Sequence, residues 1–495
     1  MAISVGDAAA VTAFNRFGLG ARPGGLTEAA GDPRGFLLAE LRTPDVALIL
    51  DRAPPSGTQA IQAYYLQEER GREQRERLAA AALAPGAAPA SGAPQATPAG
   101  PAMAAPAQPE PAKSKPAQPE PPKPEPAQQE QFAAEARARL DKQLGTRAGF
   151  VERLVAFWSN HFAVSAAKSG ELRALAGAFE REAIRPHVLG RFSDLLAAAE
   201  RHPAMILYLD NQNSIGPSAA PGKFAGKGLN ENLARESLEL HTLGAGAGYT
   251  QADVTEFARA LTGWSVSGPN SEIGAPGGFV FKPNWREPGA RTILGKTYAE
   301  AGVDQGRAVL ADLARHPATA RRIAAKLARH FVADDPPPDL AAALESVFRD
   351  SDGDLAAVAA ALVSDDRAWA PPRRKLRNPL EFFVAAARAG GFSPHEPGIY
   401  LQALALMGMP LWQPSGPNGF ADTSDAWASP EGMKTRLEVA WAMGQRMRAN
   451  ADPLDALRTA LGSTASPDAT QAIERAESRE QALALLFMAP EFQRR

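Results

Sequence analysis

The chain has 495 residues, 53 Lys and Arg against 55 Asp and Glu for a net charge of -2, and no cysteine. The near-neutral balance lacks the positive footprint that phosphate-backbone binding requires, so nucleic acid is not an expected partner. The missing cysteine excludes disulfides, thiolate zinc sites, iron–sulfur clusters and a cysteine nucleophile.

In chain order, residues 1–10 carry Asp7 where a signal peptide has Lys or Arg, and no apolar run of usable length comes after it. The expected location is therefore the cytoplasm, with the periplasm as the alternative if the protein leaves the cell with a signal-bearing partner. Residues 59–83 and 131–144 read as charged helices. Between them, 14 of the 43 prolines fall from Pro85 to Pro126, and Pro106-Ala-Gln-Pro-Glu-Pro111 recurs as Pro116-Ala-Gln-Pro-Glu-Pro121. Such a segment has no material for a core and predicts a disordered, solvated Pro/Ala-rich insertion over 84–130, hung from the tip of a helical hairpin. Residues 1–83 are then expected to pack on the main helical body, 131–495, as one unit with it.

Helical spacing dominates the remainder. Residues 150–162 carry Phe150, Leu154, Phe157, Trp158 and His161 at steps of three and four, and similar periods run over 193–200, 205–209, 253–261, 318–332, 340–348, 355–363 and 437–447. Thr250 with Asp253 predicts a capping box, and Ser429-Pro430 a helix start. His202-Pro203 and His316-Pro317 read as helix entries. Residues 278–281 and 291–294 look extended and could pair as one hairpin. The expected fold is all-α with at most one small β-hairpin. Residues 399–412, the longest apolar stretch, are broken by Gln402, Gly408 and Pro410, so no membrane span is expected.

The segment from Gly228 to Gly244 concentrates the interest. On an ideal helix, Asn232, Arg235, Glu236 and Glu239 share one narrow face flanked on both sides by leucine and alanine, the mark of a central helix. Two buried carboxylates three residues apart need cations, donors or a metal. Three readings are open. Arg235, Arg185 and Arg259 neutralise the glutamates in a structural network; or Glu236 and Glu239 join His161 or His187 around a divalent metal; or one glutamate acts as a general base without metal. The spacing Glu-x-x-Glu differs from the Glu-x-x-His of bundle di-iron sites and occurs once. His161 is the histidine expected to be buried near the stripe, while His241 falls on the opposite face.

Several motifs fail. Residues 244–249 alternate glycine but come after a helix, and residues 222–228 imitate a phosphate loop one residue short, with Gly where Ser or Thr should stand. Residues 350–354 resemble a calcium loop with its glycine misplaced and read as a capped turn. The basic cluster 373–377 reads as a solvated face or a single anion contact.

The segments Asn15-Arg-Phe-Gly-Leu-Gly20, Phe157-Trp-Ser-Asn-His-Phe162, Arg185-Pro-His-Val-Leu-Gly-Arg-Phe192, His202-Pro-Ala-Met-Ile-Leu-Tyr-Leu-Asp210, Asn232-Leu-Ala-Arg-Glu-Ser-Leu-Glu-Leu-His-Thr-Leu-Gly244 and Leu261-Thr-Gly-Trp264, with the stretch 410–427, resemble the bacterial family called domain of unknown function 1800. The resemblance covers nearly the whole chain outside the insertion. It implies a helical fold and a neighbouring exported protein of the sulfatase and phosphatase type (domain of unknown function 1501), but no reaction. Members often carry His where Ser159 stands, and His before the Glu-Pro-Gly that here comes after Arg286. If those histidines bind metal elsewhere, this chain lacks two ligands. The candidate catalytic residues are thus Glu236, Glu239, Arg235 and His161, and the candidate binding residues Asn160, His187, Asn232 and Trp264. The expected function is that of an accessory or binding protein beside such a partner, and the alternative is a hydrolase using Glu236 and Glu239 with or without a divalent metal.

Overall fold

The computed structural model describes residues 5–83, 126–219 and 228–495. Most of the expected insertion and the phosphate-loop imitation lie outside the described residues. Helix Gly57–Leu83 leads into that gap and helix Ala127–Gly145 leads out of it, packed against each other. Residues 127–130, assigned above to the insertion, are the first turn of the second helix. Pro126 ends the proline run in an extended conformation and offers its carbonyl to that turn.

The helices expected from apolar spacing are present, and their starts obey local chemistry. Thr250 and Asp253 form a reciprocal capping box, and Ser429 accepts from the Gly432 amide. His202 and His316 each turn Nδ1 back to accept an amide two residues on, at 3.1 Å, so both are helix caps. The apparent calcium loop is the expected capped turn: Asp354 accepts from the Ala357 amide at 2.9 Å and starts helix Leu355–Ser364.

The β-structure departs from expectation. Instead of one hairpin there are two small antiparallel pairs, Trp264–Val266 with Phe279–Phe281 and Arg291–Ile293 with Lys296–Tyr298. The second closes through Leu294 and Gly295, at φ 51° and 75°. Two consecutive left-handed residues make the tight turn whose twist suits a hairpin, although leucine rarely occupies it. An Asp253 carboxylate oxygen, accepting from the Leu294 amide at 2.7 Å, holds it there.

Two aromatic and ionic centres tie the chain's distant parts together. Phe17, Phe150 and Phe331 meet with ring centroids 5.4 to 6.3 Å apart, fixing an N-terminal turn, helix Phe150–His161 and helix Pro317–Phe331 against one another. Nearby, Arg185 is buried and grips Glu152 at 2.7 and 3.0 Å and Glu180 at 3.0 Å, while donating to the Ala47 carbonyl at 2.7 Å. Burial alone would lower the Arg185 pKa, but the two carboxylates raise it above its ordinary value.

Because removing Arg185 strands buried Glu152 and takes from Glu180 one of its two cations, Arg185→Ala is expected to cost about 3–5 kcal/mol in urea unfolding. Arg72→Ala, which breaks an exposed pair with Glu76, is expected to cost about 0.5 kcal/mol or less. Similar losses for the two would remove the distinction.

Candidate functional site

The polar stripe lies differently from its helical-wheel position. Helix Asn232–Glu236 passes at once into a π-turn, Ser237–His241, which inserts one extra residue and rotates the residues beyond it by about 100°. Ser237 Oγ donates to the Leu233 carbonyl and Thr242 Oγ to the Ser237 carbonyl, both at 2.6 Å, so side chains take up backbone acceptors at the wide turn. Asn232 is exposed, and Arg235, Glu236 and Glu239 are half-buried rather than sealed inside. Arg235 pairs with Glu231 at 3.0 Å and with Gln251. Arg185 is engaged elsewhere, and Arg259 pairs with Glu256, so neither neutralises the stripe. Burial raises the Glu236 pKa, with His241 opposing and Glu239 adding to the rise.

The remaining expected binding residues are dispersed. Trp264 is fully buried in its strand, and His187 is half-buried in the short turn Arg185–His187, where burial lowers its pKa against the opposing charge of Asp194. Among the described residues no group of three or more His, Asp and Glu is placed to hold a metal ion. The metal reading built on Glu236 and Glu239 therefore has no ligand set.

His161 and Asn160 belong to another place. They line a cavity of about 270 Å³ between helix Phe150–His161, helix Gly170–Phe179, helix Pro317–Phe331, the start of helix Pro379–Ala389 and the chain from 409 to 422. Its apolar walls include Phe157, Leu380, Leu404, Met409, Leu411 and Trp412. Asn418 and Ala421, both exposed, stand at its mouth.

One end of the cavity is polar. His161 is buried, and its Nε2 faces only the His241 carbonyl at 3.1 Å, so Nε2 carries the proton and donates. Its Nδ1 must then accept, and it receives the Lys326 Nζ donor at 2.9 Å. Burial first, then the neighbouring Lys326, holds the His161 pKa well below its ordinary value, so the ring is neutral at pH 7. Burial and the nearby Arg322 bring the Lys326 pKa down to about 8. Lys326 is half-buried, enclosed by protein yet lining the cavity, and no carboxylate forms an ion pair with it among the described residues. His161 thus meets the stripe helix at His241, through the backbone carbonyl and with the two rings 6.2 Å apart.

The loop over the mouth is held by reciprocal bonds. Asn160 Nδ2 donates to the Phe420 carbonyl at 2.9 Å, while its Oδ1 accepts from the Phe420 amide at 2.7 Å. Gly419 has φ 75°, and a β-carbon there would sit 2.4 Å from the Asn160 carbonyl oxygen, so only glycine allows this approach. His330, one turn beyond Lys326, donates from Nδ1 to Asp422 at 3.0 Å and accepts from Arg153 at Nε2. Lys375 donates to Asp334 at 2.8 Å and to the Asp422 carbonyl at 2.6 Å.

The basic cluster 373–377 is therefore only in part a solvated face: Arg374 is exposed and Arg373 half-buried. Lys375 and Arg377 are buried, and Arg377 donates to Asn15 Oδ1 and the Phe492 carbonyl, because both have internal acceptors. The sequence reading also missed Lys326, His330 and Asp422. For Lys326 a signal existed: it lies three residues from Ile323 and four from His330, on the flank of an apolar stripe where lysine is costly.

His330 gives an acid response of definite sign. Burial, only partly offset by Asp422, lowers its pKa to about 4 from the ordinary 6.5, so it binds no proton in the folded state where the unfolded chain does. Its contribution is present above pH 6.5 and is lost as pH falls toward 4. His161 acts in the same direction. Unfolding free energy is expected to fall across this window, and His330→Gln to remove about one proton from the slope. An unchanged slope would sink the assignment of a neutral His330.

No curated protein and no solved structure matches this chain. Residues 12–494 match the model of a family described as "Protein of unknown function (DUF1800)". With nearly its entire length matched, the chain belongs to the DUF1800 family.

Proposed function

We propose that this protein is a binding or accessory protein whose cavity takes a small, largely apolar molecule carrying one oxygen function. The observation that carries this reading is the Lys326–His161 pair in a cavity that also has extensive apolar walls. Sites for small ligands commonly combine apolar walls with a few fixed polar groups. Lys326 supplies the donor, and His161, held by the His241 carbonyl, fixes where that donor sits. The walls supply affinity at about 25 cal/mol per Å² of apolar surface covered. The partner in this reading is an exported sulfatase- or phosphatase-like protein, the association that the family resemblance implies.

A second reading, a hydrolase using Glu236 and Glu239, has one observation in its favour: burial raises the Glu236 pKa, as a general base requires. Its helix face is half-exposed, which a double Glu236→Gln, Glu239→Gln variant exploits. That variant is expected to fold normally, and loss of a hydrolytic activity present in the wild type is the result this second reading needs.

For the cavity, titration calorimetry with medium-chain alcohols and alkylphenols is expected to give saturable binding at one site. Ala421→Tyr, which places a ring at the exposed mouth, is expected to weaken it at least about tenfold, from steric exclusion worth roughly 1.4 kcal/mol or more. Lys326→Met is expected to weaken alcohols more than hydrocarbons of equal size. Equal binding by all three proteins would remove the cavity as the site.

A further inference from the structure

We propose that Lys326 captures a small aldehyde or ketone in this cavity as a Schiff base, with His161 carrying the proton. The inference rests on the cavity reading above and specifies its ligand chemistry. Glu180 is held by Arg139 and Arg185, and Glu381 by Arg153 and Arg495. Asp422 is held by His330 and Lys375. Every carboxylate of the lining thus has its own cation, and Lys326 is left with an imidazole as its hydrogen-bond partner.

An amine in that setting differs from a surface lysine. Its neighbour is a neutral ring that accepts one N–H and offers no charge to favour the ammonium form. With its pKa near 8, roughly one Lys326 in ten is neutral at pH 7, against roughly one in three thousand for an ordinary lysine. Lysine desolvated beside apolar walls and other cations is a recognised form of activated nucleophile. Phe157 packs near it, and Arg322 and Arg329 add positive charge without bonding it, outweighing the opposing charge of Asp422.

The step balances with the groups present. The neutral amine forms a bond to the carbonyl carbon, and the C=O π pair moves onto oxygen. The proton lost from nitrogen passes to His161 Nδ1 and on to that oxygen, giving a carbinolamine. The remaining N–H proton then passes by way of His161 Nδ1 to the hydroxyl, the C–O bond breaks as water leaves, and the electron pair left on nitrogen completes the neutral C=N. Nothing is oxidised or reduced. While protonated, the ring keeps its Nε2–H bond to the His241 carbonyl, which stabilises the transient imidazolium. An apolar tail on the carbonyl compound suits the Leu404, Leu411 and Trp412 walls.

The test is reductive trapping. The full chain is mixed with hexanal or 4-phenylbutan-2-one and sodium cyanoborohydride at pH 7, digested and mapped by mass spectrometry. The hydride reduces the C=N carbon and leaves a secondary amine of defined added mass. Lys326 is expected to label at least tenfold faster than Lys434, an internal reference whose side chain is 77% exposed. His161→Gln keeps the amine and is expected to slow Lys326 labelling tenfold or more while leaving Lys434 unchanged. Should that variant not fold, the wild-type ratio decides alone. Labelling of Lys434 without Lys326, while alkylphenols still bind by calorimetry, overturns the Schiff base and leaves the cavity reading standing. Absence of both binding and selective labelling overturns both.

Discussion

One buried carboxylate, Glu180, fixes the geometry on which the cavity depends. Its Oε1 accepts from Arg185, and its Oε2 accepts from Ser159 at 3.0 Å and from the Trp412 indole at 3.1 Å, with Arg139 Nε 3.4 Å away. Those donors come from three separate helical segments and a loop, so a single charge sets their mutual spacing. Burial raises the Glu180 pKa, and Arg139, Arg185, Trp412 and Ser159 together outweigh it and hold the carboxyl below its ordinary value. Such a group is expensive to desolvate and more expensive to strand, which makes the arrangement all-or-none. Glu180 also begins a π-turn, Glu180–Ile184, that brings Arg185 back toward it in the same chain segment. The wall of the cavity is therefore rigid where its cations are satisfied.

The opposite side obeys the same rule with different partners. Glu381, at the third position of helix Pro379–Ala389, caps that helix with Asn378 and also meets Arg153 at 3.2 Å and Arg495 at 2.7 Å. Burial opposes its ionisation, but Arg153 and Arg495 bring its pKa to about 2. Asp422 behaves alike: burial would raise its pKa, and His330, Lys375 and Arg495 drive it below the usual carboxylate range. Arg153 touches both Glu381 and His330, so the loop at the mouth is joined to the helix that carries Lys326 through continuous hydrogen bonds. Position at the mouth is set by ionic contacts, and position at the floor by helix packing.

How much of this was legible in the sequence depends on the range of the interaction concerned. Helices and caps rest on residues three or four apart, so the Thr250–Asp253 box, the His-Pro entries and the apolar stripe of residues 150–161 could be read directly. The strand pairing could not, because the hairpin turn places Leu294 in a left-handed conformation that its side chain gives no reason to expect, and the holding acceptor, Asp253, is forty-one residues away. The stripe is half-exposed where a buried one was expected, and its local geometry is not that of an ideal helix. Ideal-helix arithmetic assumes 3.6 residues per turn, and the π-turn at Ser237 breaks that assumption just where the two glutamates are compared. His161 and Asn160 were legible as residues of interest, but their partners, Lys326 and Phe420, lie 165 and 260 positions away. The basic cluster misled because net charge along a chain does not reveal which cations find internal acceptors.

The cost of Lys326 argues that its position serves something other than stability. A lysine whose pKa is lowered from 10.5 to about 8 costs stability as pH falls from 10.5 to 8, and the full loss holds below 8, because the unfolded chain binds a proton that the folded chain holds less well. A Met or Leu of similar volume would avoid that loss and pack against Phe157 and Ile323. Several other buried cations among the described residues are matched to carboxylates, as Arg185 is, or to several carbonyls, as Arg388 is to Gly20, Gln143, Thr146 and Arg147. Lys326 departs from that pattern beside the cavity that its side chain lines. Local rules are broken in folded proteins chiefly at strained or functional sites, and the departure here adds an amine to a pocket with apolar walls rather than a contact to the core. The stripe on the far side of His241 shows the contrasting case, since Arg235 and Glu231 are exposed enough that their charges cost little and hold little. Chemistry that needs an amine with a free electron pair is therefore better supported at Lys326 than carboxylate chemistry is at Glu236 and Glu239.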